Sequence, residues 1–161
     1  MKTESTKRLY PRLRILPPAH ACKVLVTTLT GRTAPIEPAA STQQINNIRR
    51  STVQTITTKE GISFLENGAI DGRRVIFIHG TPGSATGWAD YLIKVPAGRL
   101  HMALDRPGYG ESGPREAVVS LKLQAQAVTR LIPAAHRRST ILVGHSLGAA
   151  VAVQTALDCP D

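Results

Sequence analysis

Apolar and polar positions take on regular rhythms from about residue 51 onward. Val53 to Thr57 mixes apolar and polar positions as a half-buried strand does, and Ile62 to Leu65 is a second short candidate. Asn67-Gly68 and Asp71-Gly72 mark turns. Val75-Ile76-Phe77-Ile78 is a continuous apolar run, the pattern of a strand covered on both faces. A short helix is predicted over Trp88 to Ile93 and a further strand over Met102 to Leu104. Ser120 is a plausible N-cap for a helix over Leu121 to Leu131, with Leu121, Ala125, Val128 and Ile132 on one stripe and Pro133 ending it. Ile141-Leu142-Val143 has the length of a buried strand, and the Ala/Val-rich run after residue 147 has helix character. Strands alternating with helices predict an α/β fold: a parallel sheet with helices on both faces.

The first 50 residues break this rhythm. Pro11, Pro17, Pro18, Pro35 and Pro38 interrupt any period, so residues 1–50 are expected to form a basic, Pro-rich arm without regular structure, followed by a folded domain over 51–161. Within the arm, Val24 to Leu29 is apolar and leads into Thr30-Gly31-Arg32. That resembles the end of a bacterial lipoprotein signal, but Arg32 stands where such a signal has its cysteine, and the apolar run is short for a signal core. A cytoplasmic location is therefore expected, with export or membrane association as the alternative.

Length and charge add limits. A chain of 161 residues has room for one domain. The net charge of +9 is uneven: residues 1–50 carry nine Lys/Arg against two Asp/Glu, and most of the surplus lies there. A nucleic-acid role predicts basic residues on a folded face with aromatics between them, whereas these sit in a Pro-punctuated arm and aromatics are 4% of the chain. No nucleic-acid partner is expected. No apolar run approaches a membrane span, so no stable membrane insertion is expected either. Cys22 and Cys159 form neither a disulfide framework nor a metal-ligand spacing.

The chemistry concentrates at Gly144-His145-Ser146-Leu147-Gly148, a G-x-S-x-G pentapeptide between a strand and a helix. A strand turning directly into a helix strains its middle residue and holds the Ser146 hydroxyl exposed at the apex. Gly144 and Gly148 let strand and helix pass closely. The helix points its partly positive N-terminus at the site, and the Leu147 N–H is free to donate to an oxyanion. Ser146 is the candidate nucleophile.

Two further loops complete a resemblance. His79-Gly80-Thr81-Pro82-Gly83 follows one strand, Asp105-Arg106-Pro107-Gly108-Tyr109-Gly110-Glu111-Ser112 follows the next, and the pentapeptide follows the third. Together these resemble the α/β-hydrolase superfamily, in its serine hydrolase branch, over about residues 52–161. The resemblance implies hydrolysis of an ester or similar acyl bond through a Ser146 acyl-enzyme. It implies an oxyanion hole made by the Thr81 and Leu147 N–H groups, with His79 and Gly80 shaping the first loop. It implies a small-molecule acyl substrate, no cofactor and no metal. A serine at the elbow departs from the epoxide hydrolases and haloalkane dehalogenases, whose nucleophile is Asp.

The family's order of nucleophile, acid and histidine is broken here, because the chain reaches Asp161 soon after the pentapeptide. His20, His101, His136 and His145 are poorly placed in sequence to serve as the base, and Asp158 and Asp161 follow the pentapeptide too closely to serve as the acid. The expectation is an N-terminal half of such an enzyme, truncated after the elbow helix, inactive alone and exposing the elbow strand as an unpaired edge. A non-catalytic binding protein with a degenerate hydrolase fold is the alternative. A dinucleotide fold is disfavoured: Gly108 to Gly113 fits G-x-G-x-x-G, but Pro114 stands where its helix should begin and no acidic residue follows at the ribose position. Gly80 to Gly87 likewise lacks the Gly-Lys-Ser/Thr of a phosphate loop.

Overall fold

The computed structural model describes residues 53–159 and, as a backbone strand, residues 23–27. Among the described residues six strands form one sheet: β1 (Lys23–Thr27), β2 (Gln54–Thr57), β3 (Ser63–Gly68), β4 (Arg73–Ile78), β5 (Arg99–Leu104) and β6 (Ile141–His145), in the order β1-β6-β4-β5-β3-β2. Three α-helices accompany them: α1 (Ala89–Ile93), which continues a 3-10 turn over Ala85–Trp88, α2 (Leu121–Arg130) and α3 (Leu147–Asp158). A second 3-10 turn, Ala134–Ser139, leads into β6.

The strand period explains the layers. In β4, Ile76 and Ile78 face one side with Phe64, Leu100, Met102, Leu104 and Leu142; Val128 of α2, Leu131 and Ile132 just after it, and Val151 and Ala152 of α3 cover them. Phe77 points the other way, packing with Leu65, Ala85, Leu92, Ala103 and Val143. Trp88 and Tyr91 stack on the Phe77 ring at centroid distances of 5.1 and 5.4 Å. Both faces of β4, β5 and β6 are thus covered, which is why these strands read as apolar runs. Each fully buried Ile or Leu of this sheet contributes about 1.5–3 kcal/mol of burial.

The α/β class and the helices on both faces are as the sequence predicts, and three details differ. First, the sheet is mixed. β1, β6, β4 and β5 run parallel, but β2 pairs antiparallel with β3 and β3 antiparallel with β5. β2 and β3 are joined by a tight turn at Thr58–Gly61, where the Gly61 N–H donates to the Thr58 carbonyl, and a turn so short forces antiparallel pairing.

Second, Lys23–Thr27 is a strand, inside the segment expected to be an unstructured arm. Val24-Leu25-Val26 is strongly strand-forming, and it pairs parallel to β6 from Lys23 opposite Ile141 to Thr27 opposite His145. The elbow strand is therefore interior, between β1 and β4, and not the bare edge expected of it. The rest of residues 1–50 lies outside the described residues, as do His20, Cys22 and the signal-like Leu29 to Arg32.

Third, α2 buries Gln124, Ala125, Ala127 and Val128, while Leu121 is exposed. Gln124 is held inside because its Nε2 donates to the carbonyls of Pro107 and Val118, at 3.1 and 2.7 Å. Ser120 caps the helix as expected, its hydroxyl accepting from the Leu123 N–H at 3.3 Å.

Candidate active site

The ends of β4, β5 and β6 deliver three loops to one edge of the sheet. β6 enters α3 through Ser146, which has φ 52° and ψ −124° and is the one non-glycine residue with positive φ among those described. A strained residue at this junction is what the pentapeptide predicts. Ser146 and its neighbours His145 and Leu147 are exposed. The two flanking glycines are required by close approach. A β-carbon at Gly144 would overlap the Gly148 carbonyl oxygen and come within 2.5 Å of Ala149 Cα. One at Gly148 would overlap the Ile78 carbonyl oxygen and stand 2.6 Å from that of His79.

The Gly80 loop comes against this elbow. A β-carbon at Gly80 would lie 2.8 Å from Ser146 Cβ. Sequence alone places Gly80-Thr81 and Ser146-Leu147 in two separate segments; the fold brings the first loop and the elbow into contact. The Thr81 and Leu147 N–H groups donate to no other described residue.

His79 sits beneath that loop, 4% exposed. Its Nε2 accepts from the Arg106 N–H at 3.0 Å, so its other nitrogen carries the proton, and Nδ1 donates to the Gly80 carbonyl at 2.7 Å. Burial, with a smaller contribution from the Arg106 charge, pushes the imidazole down to about 4, so it is neutral at pH 7. Both ring nitrogens are committed to backbone, which fits the loop-shaping role and leaves none for proton transfer.

Residues of the second loop that sequence reasoning left without a role prove to be its supports. The Asp105 carboxylate is buried and accepts from the Ala85 N–H at 2.7 Å and the Glu111 N–H at 3.0 Å, tying the first loop to the second. The Ser112 hydroxyl donates to the Asp105 carbonyl at 2.6 Å and accepts from the Ser63 N–H at 2.8 Å. Arg106 is completely buried. Its Nη2 donates to the Gly80 carbonyl at 3.0 Å and to Thr81 Oγ1 at 2.7 Å, and its guanidinium carbon lies 4.4 Å over the Tyr109 ring. The signal for these residues was present as a polar cluster among glycines, but nothing local says that a charged side chain there points inward.

A shallow depression of about 210 Å³ opens beside the elbow, lined by Gly80, Pro82, Trp88, Tyr91 and His145 among others. It adjoins Ser146 on the His145 side without including it. Among the described residues no group of His, Cys, Asp or Glu is placed to hold a metal, and no helix is long and apolar enough to cross a membrane. Cys159 is a free, buried thiol. His101 bonds the Tyr91 carbonyl through Nδ1 and packs edge-on to Phe77, and no hydrogen bond joins Ser146 Oγ to an imidazole among the described residues.

The comparisons with known proteins agree with this architecture. The family model described as "Alpha/beta hydrolase family" matches residues 75–160. Over 86 residues the chain is 38% identical to the dihydrolipoyllysine-residue acetyltransferase component of the acetoin cleaving system of Cupriavidus necator, covering 53% of this chain and 23% of that protein. It is 34% identical over 93 residues to the non-heme chloroperoxidase CPO-A1 of Kitasatospora aureofaciens, covering 57% of this chain and 34% of that one. Among solved structures, a lipase candidate of Acinetobacter baumannii AYE superimposes with a TM-score of 0.60 at 26% identity, over 80% of this chain and 45% of the other. The chain thus spans about a quarter to a third of the length of these two curated relatives.

Proposed function

We propose that this chain, which belongs to the alpha/beta hydrolase family, is the nucleophile-bearing part of a hydrolase acting on ester or similar acyl bonds. The observation that carries this reading is Ser146: exposed, held at positive φ between β6 and α3, and touched by the Gly80 loop.

In the proposed reaction Ser146 Oγ attacks the substrate carbonyl carbon and gives up its proton to a base. The carbonyl oxygen becomes an oxyanion, and the N–H groups of Thr81 and Leu147 hold it. The alcohol leaves with a proton, and water then releases the acyl group from Ser146. His79, Gly80, Gly144 and Gly148 set the backbone that makes this geometry. The base and the acid that orients it are supplied from outside the described residues. His79 supports this, since neither of its ring nitrogens is available. The substrate is a small acyl compound, and no cofactor takes part in the acyl transfer.

A fluorophosphonate probe tests the reading. Phosphonylation confined to Ser146, located by peptide mass and lost in Ser146→Ala, is the expected result. No labelling above that of Ser146→Ala would favour a binding protein built on the same fold.

A further inference from the structure

Arg106 is the least explained residue near the elbow. It is 0% exposed, and among the described residues it makes no ion pair; the Arg115–Glu111 contact, on the surface, is the ion pair seen there. Its Nε and Nη1 have no hydrogen-bond partner among the described residues. An unpaired buried guanidinium is costly, and it needs a reason.

The reason lies in what its one bonded nitrogen grips. Nη2 donates to both the Gly80 carbonyl and Thr81 Oγ1. Gly80 C=O and Thr81 N–H are the two ends of a single peptide unit, and that peptide is trans. In a planar trans peptide the C=O and N–H point in opposite directions. Fixing the Gly80 oxygen toward buried Arg106 and His79 therefore aims the Thr81 N–H away from the core. The hold on Thr81 Oγ1 adds a third point, and the Tyr109 hydroxyl, 3.0 Å from Thr81 Oγ1, continues the chain outward. The charge matters as well as the contact. A cation on the carbonyl oxygen draws electron density through the amide and makes its N–H a stronger donor.

We propose that Arg106 is a positioning residue for acyl transfer: its unneutralised guanidinium orients and polarises the Gly80–Thr81 peptide, so that the Thr81 N–H serves as an oxyanion donor. This rests on the reading of Ser146 as nucleophile. Lysine cannot replace it fully, because its ammonium lacks the planar guanidinium that rests over the Tyr109 ring and so fixes where Nη2 meets the two oxygens.

The test uses the full chain and two readouts. The first is the rate of Ser146 phosphonylation by a fluorophosphonate, in which the Oγ–P bond forms, fluoride leaves and the serine proton goes to solvent. Arg106→Met should slow it about 10- to 100-fold, the penalty of a misplaced group, and Arg106→Lys should fall between Met and the parent. Thr81→Val, which removes the hydroxyl that Arg106 grips, should slow it by less than Arg106→Met. The second readout is the ¹H–¹⁵N resonance of the Thr81 amide. It should move upfield in Arg106→Met and partly recover in Arg106→Lys. An unchanged Thr81 resonance and an unchanged labelling rate in folded Arg106→Met would overturn the proposal. If Arg106→Met does not fold, Arg106→Lys and Thr81→Val decide it by the same two readouts, and parent-like values in both overturn it. A parent chain that labels no faster than Ser146→Ala would remove the nucleophile reading, while the Thr81 resonance would still decide whether Arg106 sets that peptide.

Discussion

Gly80 lies against Ser146 so closely that a β-carbon at position 80 would stand 2.8 Å from Ser146 Cβ and 3.0 Å from the His145 carbonyl oxygen. Those distances are below ordinary contact, and one of the two atoms is backbone. Gly80→Ala must therefore push the first loop off the elbow. We expect a stability loss of about 1–3 kcal/mol, the usual penalty of overpacking, with a larger relative loss of Ser146 phosphonylation. Urea unfolding and labelling rates measured on the same preparation check this. A variant with parental stability and parental labelling would mean that the two loops part easily.

Asp105 holds the loops from the other side. Its two carboxylate oxygens each accept one backbone N–H, from Ala85 and from Glu111. Asparagine offers one acceptor and puts an NH₂ donor against the other N–H. Asp105→Asn should cost about 2–4 kcal/mol, since hydrogen bonds to charged groups are worth more than neutral ones and a buried donor is left unpaired. Denaturant midpoints measure it, and a change below about 0.5 kcal/mol would show that the carboxylate is dispensable.

How much of this could be read from the sequence follows from which forces are local. β4, β5 and β6 were legible because strands buried on both faces must be apolar throughout, whatever their partners. The Ser120 cap and the strained Ser146 were legible because each depends on residues adjacent in the chain. β1 was not, because a strand in a Pro-punctuated segment becomes a strand only by pairing with β6, more than a hundred residues away. Leu121 was assigned to the buried stripe by helical period, but it opens the first turn of α2 and is exposed. Gln124 takes an interior place through two backbone carbonyls that no periodicity reveals. The same holds for Asp105, Arg106 and Ser112, whose inward direction is set by the meeting of two loops.

His79 gives the site a pH dependence. Burial lowers its pKa from 6.5 to about 4 in the folded chain. Between those values the unfolded chain binds the proton and the folded chain does not. Stability is therefore full above pH 6.5, falls as the pH drops toward 4, and has lost this contribution below 4. Linkage puts the loss at about 3 kcal/mol. Carboxylates titrate in part of the same range, so the informative quantity is the difference from His79→Gln, which carries no titrating ring. The parent should lose more stability than His79→Gln between pH 6.5 and 4. In an NMR titration the His79 ring should stay neutral down to about pH 4. Protonation near pH 6.5 in the folded chain would contradict its buried, doubly bonded geometry.

The last prediction joins the proposed base to the position of β1. If Ser146 needs a base from outside the described residues, turnover of a short-chain aryl ester should be negligible for this chain alone. It should appear when the part of a longer relative that lies beyond the matched region is added as a second polypeptide, and it should vanish when Ser146→Ala is used with the same addition. The sheet order makes the route testable. β6 is flanked by β1 and β4, so an added strand can pair with β6 only after β1 has left, and otherwise must add outside β1. Replacement predicts that deleting residues 1–30 speeds the appearance of activity. Addition outside β1 predicts that the same deletion slows it, because the strand that receives the partner is gone. We expect replacement: β1 is one strand of five residues, and pairing it leaves only Lys23 to Thr27 to be displaced. Turnover by the parent chain alone that Ser146→Ala abolishes would place the base within these 161 residues. The exposed His145, next to the nucleophile, would then be the first residue to replace.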